Sequence, residues 1–240
     1  MSNVVKHERG QSGKSNKNIL VTIFSILAVI VLLFGLNYFI SKNNKNNSEL
    51  VGKVVGTETT KGDLNAAVRI VEYSDFQCPA CAGFASVFSE VFNNINEKYG
   101  PSALSVTYKH FPLTSIHPNA LLAGYSAEAA KLQGKFWEMH DKLFENQNEW
   151  GNAMDAGSKI EGYAKDLGLD MAKFIQDRDS KEVQKIVNDS LIEAKKLGLS
   201  HTPFVFMDGV EMENLQLSVE YIQEVIENRL QELGVSPLNN

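Results

Sequence analysis

Cysteine is nearly absent from this chain: 240 residues carry two, so neither a four-cysteine zinc site nor a framework of several disulfides is available to it. Lys/Arg clusters and aromatic-basic interleaving are missing as well. With a net charge of -6, this argues against nucleic acid as a partner. No internal repeat occurs at solenoid periods, and the only low-complexity stretch is the short Asn/Lys-rich run at 41–49. A hydrophobic content of 43% is ordinary for a globular core, which excludes a disordered or fibrous chain.

Charge is also absent from residues 19–40, which are dense in Ile, Leu, Val and Phe and long enough to cross a bilayer as one helix. A cleaved signal peptide would have a shorter apolar region ending at an Ala-x-Ala-like site, unlike the Asn37-Tyr38-Phe39-Ile40 found here. The basic residues Lys6, Arg9, Lys14 and Lys17 stand against Glu8 alone in residues 1–18, so this tail is expected in the cytoplasm. The expected plan is therefore a cytoplasmic tail at 1–18, a single-pass signal anchor at 19–40, a flexible tether at 41–49 and an extracytoplasmic folded domain at 50–236.

Within that domain Val68-Arg69-Ile70-Val71-Glu72-Tyr73 is β-branched and nearly continuous in apolar character, as a central strand buried on both faces would be. Phe84, Val87, Val91 and Ile95 then repeat at helical spacing until Gly100-Pro101, and Leu104-Ser105-Val106-Thr107-Tyr108 alternates as a strand. Strand, helix, strand predicts a parallel pair with a right-handed crossover. Helical signals fill 118–199, including an Ala-rich stretch at 120–132 and a stripe through Val183, Val187, Leu191 and Ala194. Strand character returns in Phe204-Val205-Phe206-Met207, turns at Asp208-Gly209, and a last helix is expected near 219–233.

The two cysteines lie two residues apart, where the buried-looking strand gives way to the helix. With Pro79 as first helical residue, Cys78 falls at the helix N-terminus, where unpaired N–H groups and the dipole favour a thiolate. Cys81, one turn on, is placed to attack a mixed disulfide on Cys78 and resolve it. Half of a zinc site completed by two histidines, a permanent structural disulfide and two inert buried thiols are the competing readings. The short loop gives a structural disulfide little stabilising effect. Glu72, six residues before Cys78, is an acid inside an apolar strand. It reads as a proton relay for Cys81, with a solvent-facing edge residue as the rival. Thr202-Pro203 before the strand at Phe204 is a strand entry or a cis peptide, and the sequence does not distinguish them.

These blocks resemble the DsbA-like branch of the thioredoxin-fold oxidoreductases, in its membrane-anchored or secreted bacterial form. The resemblance is carried by Val71-Glu72-Tyr73-Ser74-Asp75-Phe76-Gln77-Cys78-Pro79-Ala80-Cys81, by Lys109-His110-Phe111-Pro112-Leu113 with His117-Pro118-Asn119-Ala120, by Gln133-Gly134-Lys135-Phe136-Trp137-Glu138-Met139-His140-Asp141, and by Thr202-Pro203-Phe204. It implies an α/β thioredoxin fold with a helical domain inserted at about 118–199. It implies that Pro203 is cis and lies against the sulfurs, that Thr202 offers backbone hydrogen bonds to substrate, and that Glu72 is the family's buried acid. His110, His117 and His140 are expected to pack or cap. The strongest oxidants of the family carry His where this chain has Ala80, which implies weaker oxidising power. His201 is a candidate to compensate by approaching Cys78, with an exposed loop histidine as the plain alternative.

The implied function is oxidation of cysteines in reduced exported proteins, without a cofactor beyond the Cys78–Cys81 disulfide, with electrons passing to a membrane quinone-linked thiol oxidase. A reductase or isomerase on the same fold, and a copper chaperone using the thiolates and a histidine, are the alternatives.

Overall fold

The computed structural model describes residues 59–238 together with the single positions Ile23, Val31 and Gly35, which are helical. The chain divides into two units, 1–46 and 47–240. No helix among the described residues is long and apolar enough to cross a membrane. Apart from those three positions, the expected tail, anchor and tether lie outside the described residues.

Five strands form one mixed sheet in the order β1-β3-β2-β4-β5, with β1 at Thr60–Lys61, β2 at Val68–Ser74, β3 at Leu104–His110, β4 at Phe204–Met207 and β5 at Val210–Glu211. Strands β2 and β3 run parallel in the register Val68↔Leu104 to Ser74↔His110, joined through helix α1 at Pro79–Tyr99. The other three pairings are antiparallel. Asp208 and Gly209 both have positive φ, which lets a two-residue turn close the β4–β5 hairpin.

Period-two alternation sends Val68 and Ile70 to one face of the sheet. There they pack with Phe84, Phe88, Val91 and Ile95 of α1 and with Ile222, Ile226 and Leu230 of the last helix, α8 (Val219–Glu232). The opposite face buries Val71, Tyr73 and Phe206 beneath Ala194 and Leu199, at the end of α7 (Lys181–Lys196). Burial of each large side chain here contributes about 2 kcal/mol.

Between β3 and β4 the chain is helical: α2 (Ala120–Lys131), α3 (Phe136–Glu145), α4 (Gln147–Trp150), α5 (Ala156–Asp166) and α6 (Met171–Arg178) precede α7. A third cluster joins this helical layer to the sheet, with Ala123, Ala127, Met139, Leu143 and Trp150 packed in one group with Phe76, Tyr108, Cys78 and Cys81. The two sulfurs therefore sit where the sheet end, α1 and the inserted helices meet.

A candidate redox site at the head of the first long helix

Strand β2 ends at Ser74 and α1 begins at Pro79, so residues 75–77 must turn the chain in a buried place without losing their backbone hydrogen bonds. Asp75 accounts for several. Its carboxylate accepts from the backbone N–H of Gln77 at 2.8 Å and of Leu113 at 2.7 Å, and pairs with His117 Nδ1 at 2.7 Å. The backbone N–H of Asp75 donates to Cys81 Sγ at 3.5 Å.

The inserted helices hold the other side of the loop. Gln147 donates its amide to the carbonyls of Phe76, at 2.7 Å, and Cys78, at 3.0 Å. Gln77 accepts from the Asn119 backbone N–H at 2.8 Å and donates to Asn152 at 3.2 Å. The Asn119 side chain in turn donates to the carbonyls of Trp150, Gly151 and Ala153 at 3.3, 2.9 and 3.0 Å. An Asp75→Ala substitution is expected to cost about 3 kcal/mol, because two loop N–H donors lose their acceptor. Urea denaturation checks this, and an unchanged midpoint would show that the loop does not depend on the carboxylate.

Both cysteines are free thiols, and they differ. Cys78 keeps 9% of its surface exposed, whereas Cys81 keeps none. A hydrogen bond from Cys81 is the largest influence holding the Cys78 thiol down to about 5, with the backbone N–H groups of Cys81 and Ala80 adding to it and burial opposing. Thr202 acts in both senses. Its side chain adds to the Cys81 bond in favouring the thiolate, while its carbonyl accepts from the protonated Sγ at 3.5 Å. Burial first, then the Cys78 bond and the charge of Glu72, push Cys81 well up. At neutral pH the pair holds one thiolate and one thiol.

Glu72 is 3% exposed, and burial raises its carboxyl to about 7, with Ser74 opposing in part. It thus faces inward, on the face of the sheet that carries Ile70 and Tyr108. The Thr202–Pro203 peptide is cis. Ala80, Thr202, Pro203 and His201 line a cleft of about 510 Å³, whose far wall is Met212, Leu215 and Leu217.

His201 is not brought to the thiol. It is exposed, its ring stands 5.0 Å from that of Phe204, its Nδ1 meets Ser200 Oγ at 3.4 Å, and the groups acting on Cys78 are those named above. Asp75, Gln77, Asn119 and Gln147 carry the loop instead, with His117 as partner of Asp75. The quoted sequence blocks contain Asp75, Gln77 and Asn119, but only the fold joins them. Gln147 carried no signal. Among the described residues no group of three or more His, Cys, Asp or Glu side chains is placed to hold a metal ion.

A family model described as Thioredoxin matches residues 54–228. The fold is that of solved structures including Wolbachia pipientis alpha-DsbA1, with a TM-score of 0.62, 24% identity and coverage of 74% of this chain and 92% of that one. BdbD of Bacillus subtilis in its oxidised form gives a TM-score of 0.61 at 21% identity, covering 72% and 92%. Among curated proteins, the Na(+)/H(+) antiporter NhaA 1 of Mycolicibacterium vanbaalenii is 36% identical over 155 residues, which is 62% of this chain and 23% of the antiporter. The chain thus spans under a quarter of that relative's length.

Proposed function

Because this chain belongs to the thioredoxin family and is a thiol-disulfide oxidoreductase, we propose that it works outside the cytoplasm, held by the span at 19–40, and oxidises the cysteines of exported proteins. The asymmetry of the two sulfurs carries this reading. A disulfide is a strong oxidant when its reduced form is stabilised, and a Cys78 thiolate with a thiol near 5 is such a stabilisation. That value lies between the roughly 7 of thioredoxin and the roughly 3.5 of the strongest oxidants.

In the oxidised enzyme a substrate thiolate attacks Cys78 Sγ, the Cys78–Cys81 bond breaks, and Cys81 leaves and takes a proton from Glu72. A second substrate thiolate then attacks the substrate sulfur of the mixed disulfide, and Cys78 departs as a thiolate. Two electrons pass from the substrate dithiol to the enzyme, one proton ends on Cys81 and one is released. The cleft beside Ala80 and Pro203 is the place for the substrate segment, with Thr202 offering its backbone. The dithiol needs no further cofactor, and a membrane quinone-linked thiol oxidase would reoxidise it.

Equilibrium titration of the purified protein against glutathione tests the direction of flow. A potential between about −200 and about −120 mV is expected. One near thioredoxin's, about −270 mV, would make the protein a reductase or isomerase instead.

A further inference from the structure

The acids of this chain are unevenly spread, and their excess gathers beside the reacting sulfur. Residues 197–240 hold seven Asp and Glu against one base, Arg229, a balance of -6 in a chain whose whole net charge is -6. Three of the seven are ion-paired: Asp208 and Glu232 meet Arg229, and Glu227 meets Lys98. The carboxylates of Glu211, Glu213, Glu220 and Glu224 have no cation or hydrogen-bond donor beside them among the described residues.

The hairpin decides where two of these stand. Glu211 ends β5 opposite Phe206 of β4, and Met212 continues the pairing by donating its N–H to the Val205 carbonyl at 2.9 Å. Alternation along this extended stretch turns Met212 in against the core cluster that includes Val205, and leaves Glu211 and Glu213 exposed on either side of it. Both glutamates line the cleft that starts at Ala80 and Pro203, whose other ionisable side chain is His201 and which holds no Lys or Arg. A smaller hollow of about 310 Å³ borders α1 at Ala82 and Ala85, and it too carries two acids, Asp141 and Glu145, without Lys or Arg. Two hollows that touch the first turns of α1 are therefore negative.

An acidic surface also keeps a chain soluble, but that purpose needs no particular place. Here unpaired carboxylates share a cleft with the apolar side chains of Met212, Leu215 and Leu217, next to the sulfur that must meet another polypeptide. We propose that this cleft selects cysteine-bearing segments that carry Lys or Arg together with apolar residues near the cysteine, with Glu211 and Glu213 as the specificity-determining pair. The proposal rests on the oxidation reading above and names the substrate class of its cleft. Met212, Leu215 and Leu217 cover the apolar side chains. The two carboxylates stay hydrated at the rim, so their charge acts mainly on the rate of encounter. A segment rich in Asp or Glu meets like charge at the same wall and is disfavoured.

Two reduced dithiol peptides decide the matter, identical except for two lysines or two glutamates beside the first cysteine. Each is treated with the oxidised full-length protein at neutral pH, and its rate is divided by its own rate with oxidised glutathione, because flanking charge also shifts the peptide thiol. The lysine peptide is expected to react about tenfold faster at low ionic strength, the low end of what a charge-lined cleft supplies. The ratio should shrink at about 1 M salt, where the Debye length is about 3 Å. Glu211→Gln combined with Glu213→Gln should bring the ratio close to one, and Glu211→Lys combined with Glu213→Lys should invert it. A ratio near one in wild type, or one that both double variants leave unchanged, would overturn the proposal while the oxidation reading stands. A wild-type protein that oxidises neither peptide would overturn that reading, and this proposal with it. Should the lysine variant prove unfolded by circular dichroism, the glutamine variant decides alone.

Discussion

Cys81→Ser is expected to abolish oxidation of reduced substrates, because no Cys78–Cys81 disulfide can form, while Cys78 still attacks disulfides added to it and, with no Cys81 to resolve the product, accumulates mixed disulfides that appear as dithiothreitol-sensitive bands on non-reducing gels. Cys78→Ser should drop exchange to the uncatalysed level and give no such bands. The difference follows from the environments of the sulfurs: only Cys78 retains exposed surface, and only its thiol is held near 5. Cys81, wholly buried and pushed well up, reacts only with a disulfide already formed beside it. Cys81→Ala carries a further consequence. The largest influence holding Cys78 down is the hydrogen bond from Cys81, so the Cys78 thiol should titrate at higher pH when it is lost. Adducts forming on Cys81 in Cys78→Ser would reverse the assignment.

Glu72→Gln is expected to make the protein more stable and less active. In the folded chain the carboxyl titrates near 7, whereas an unperturbed Glu titrates near 4.5. The folded state therefore holds a proton that the unfolded state has released. Below about 4.5 both states are protonated and Glu72 adds nothing to the pH dependence. Between about 4.5 and 7 it takes stability away progressively, and above 7 the loss levels off at about 3 kcal/mol. Glutamine stays neutral throughout. Urea denaturation of the reduced proteins should give matching midpoints near pH 4 and a gap of up to about 3 kcal/mol in favour of Glu72→Gln near pH 8. Exchange should fall about 10²-fold, the low end of what a general acid supplies. A stability gap that does not widen with pH would mean that the carboxyl is not held high. The expected opposition of stability and rate is what a functional buried charge imposes.

The elements that place the sulfurs were legible because each announces itself locally. Val68 to Tyr73 is rich in β-branched residues, Phe84 to Ile95 repeats at helical spacing, and Cys78-Pro79 stands at their junction, so the strand, the helix and their parallel partner at 104–110 follow from pattern and chain economy. Glu72 was conspicuous as an acid among apolar neighbours. The loop's support was not. Gln147 meets Phe76 and Cys78, and Asn119 meets Gln77, across tens of residues, and an amide in a polar stretch carries no mark of such a partner. For His201 closeness in sequence to Pro203 left two readings open, an approach to Cys78 or an exposed loop histidine, and the side chain is exposed, beside Ser200 and Phe204. Strand β1, with two residues, and helix α4, with four, are too short for any period to register.

The grip of the inserted helices on the 75–77 loop bears on how such an enzyme can be rebuilt. Gln147 and Asn119 belong to the insertion, yet they hold the carbonyls and amide next to the reacting sulfur. Excising the insertion to obtain a minimal catalyst would leave those groups bare. Moving the four-residue Cys-Pro-Ala-Cys segment into a plain sheet-and-helix scaffold would transfer the sulfurs without their frame. The heritable unit of this chemistry is the motif together with its distant clamp, and chimaeras with related chains should be joined outside both.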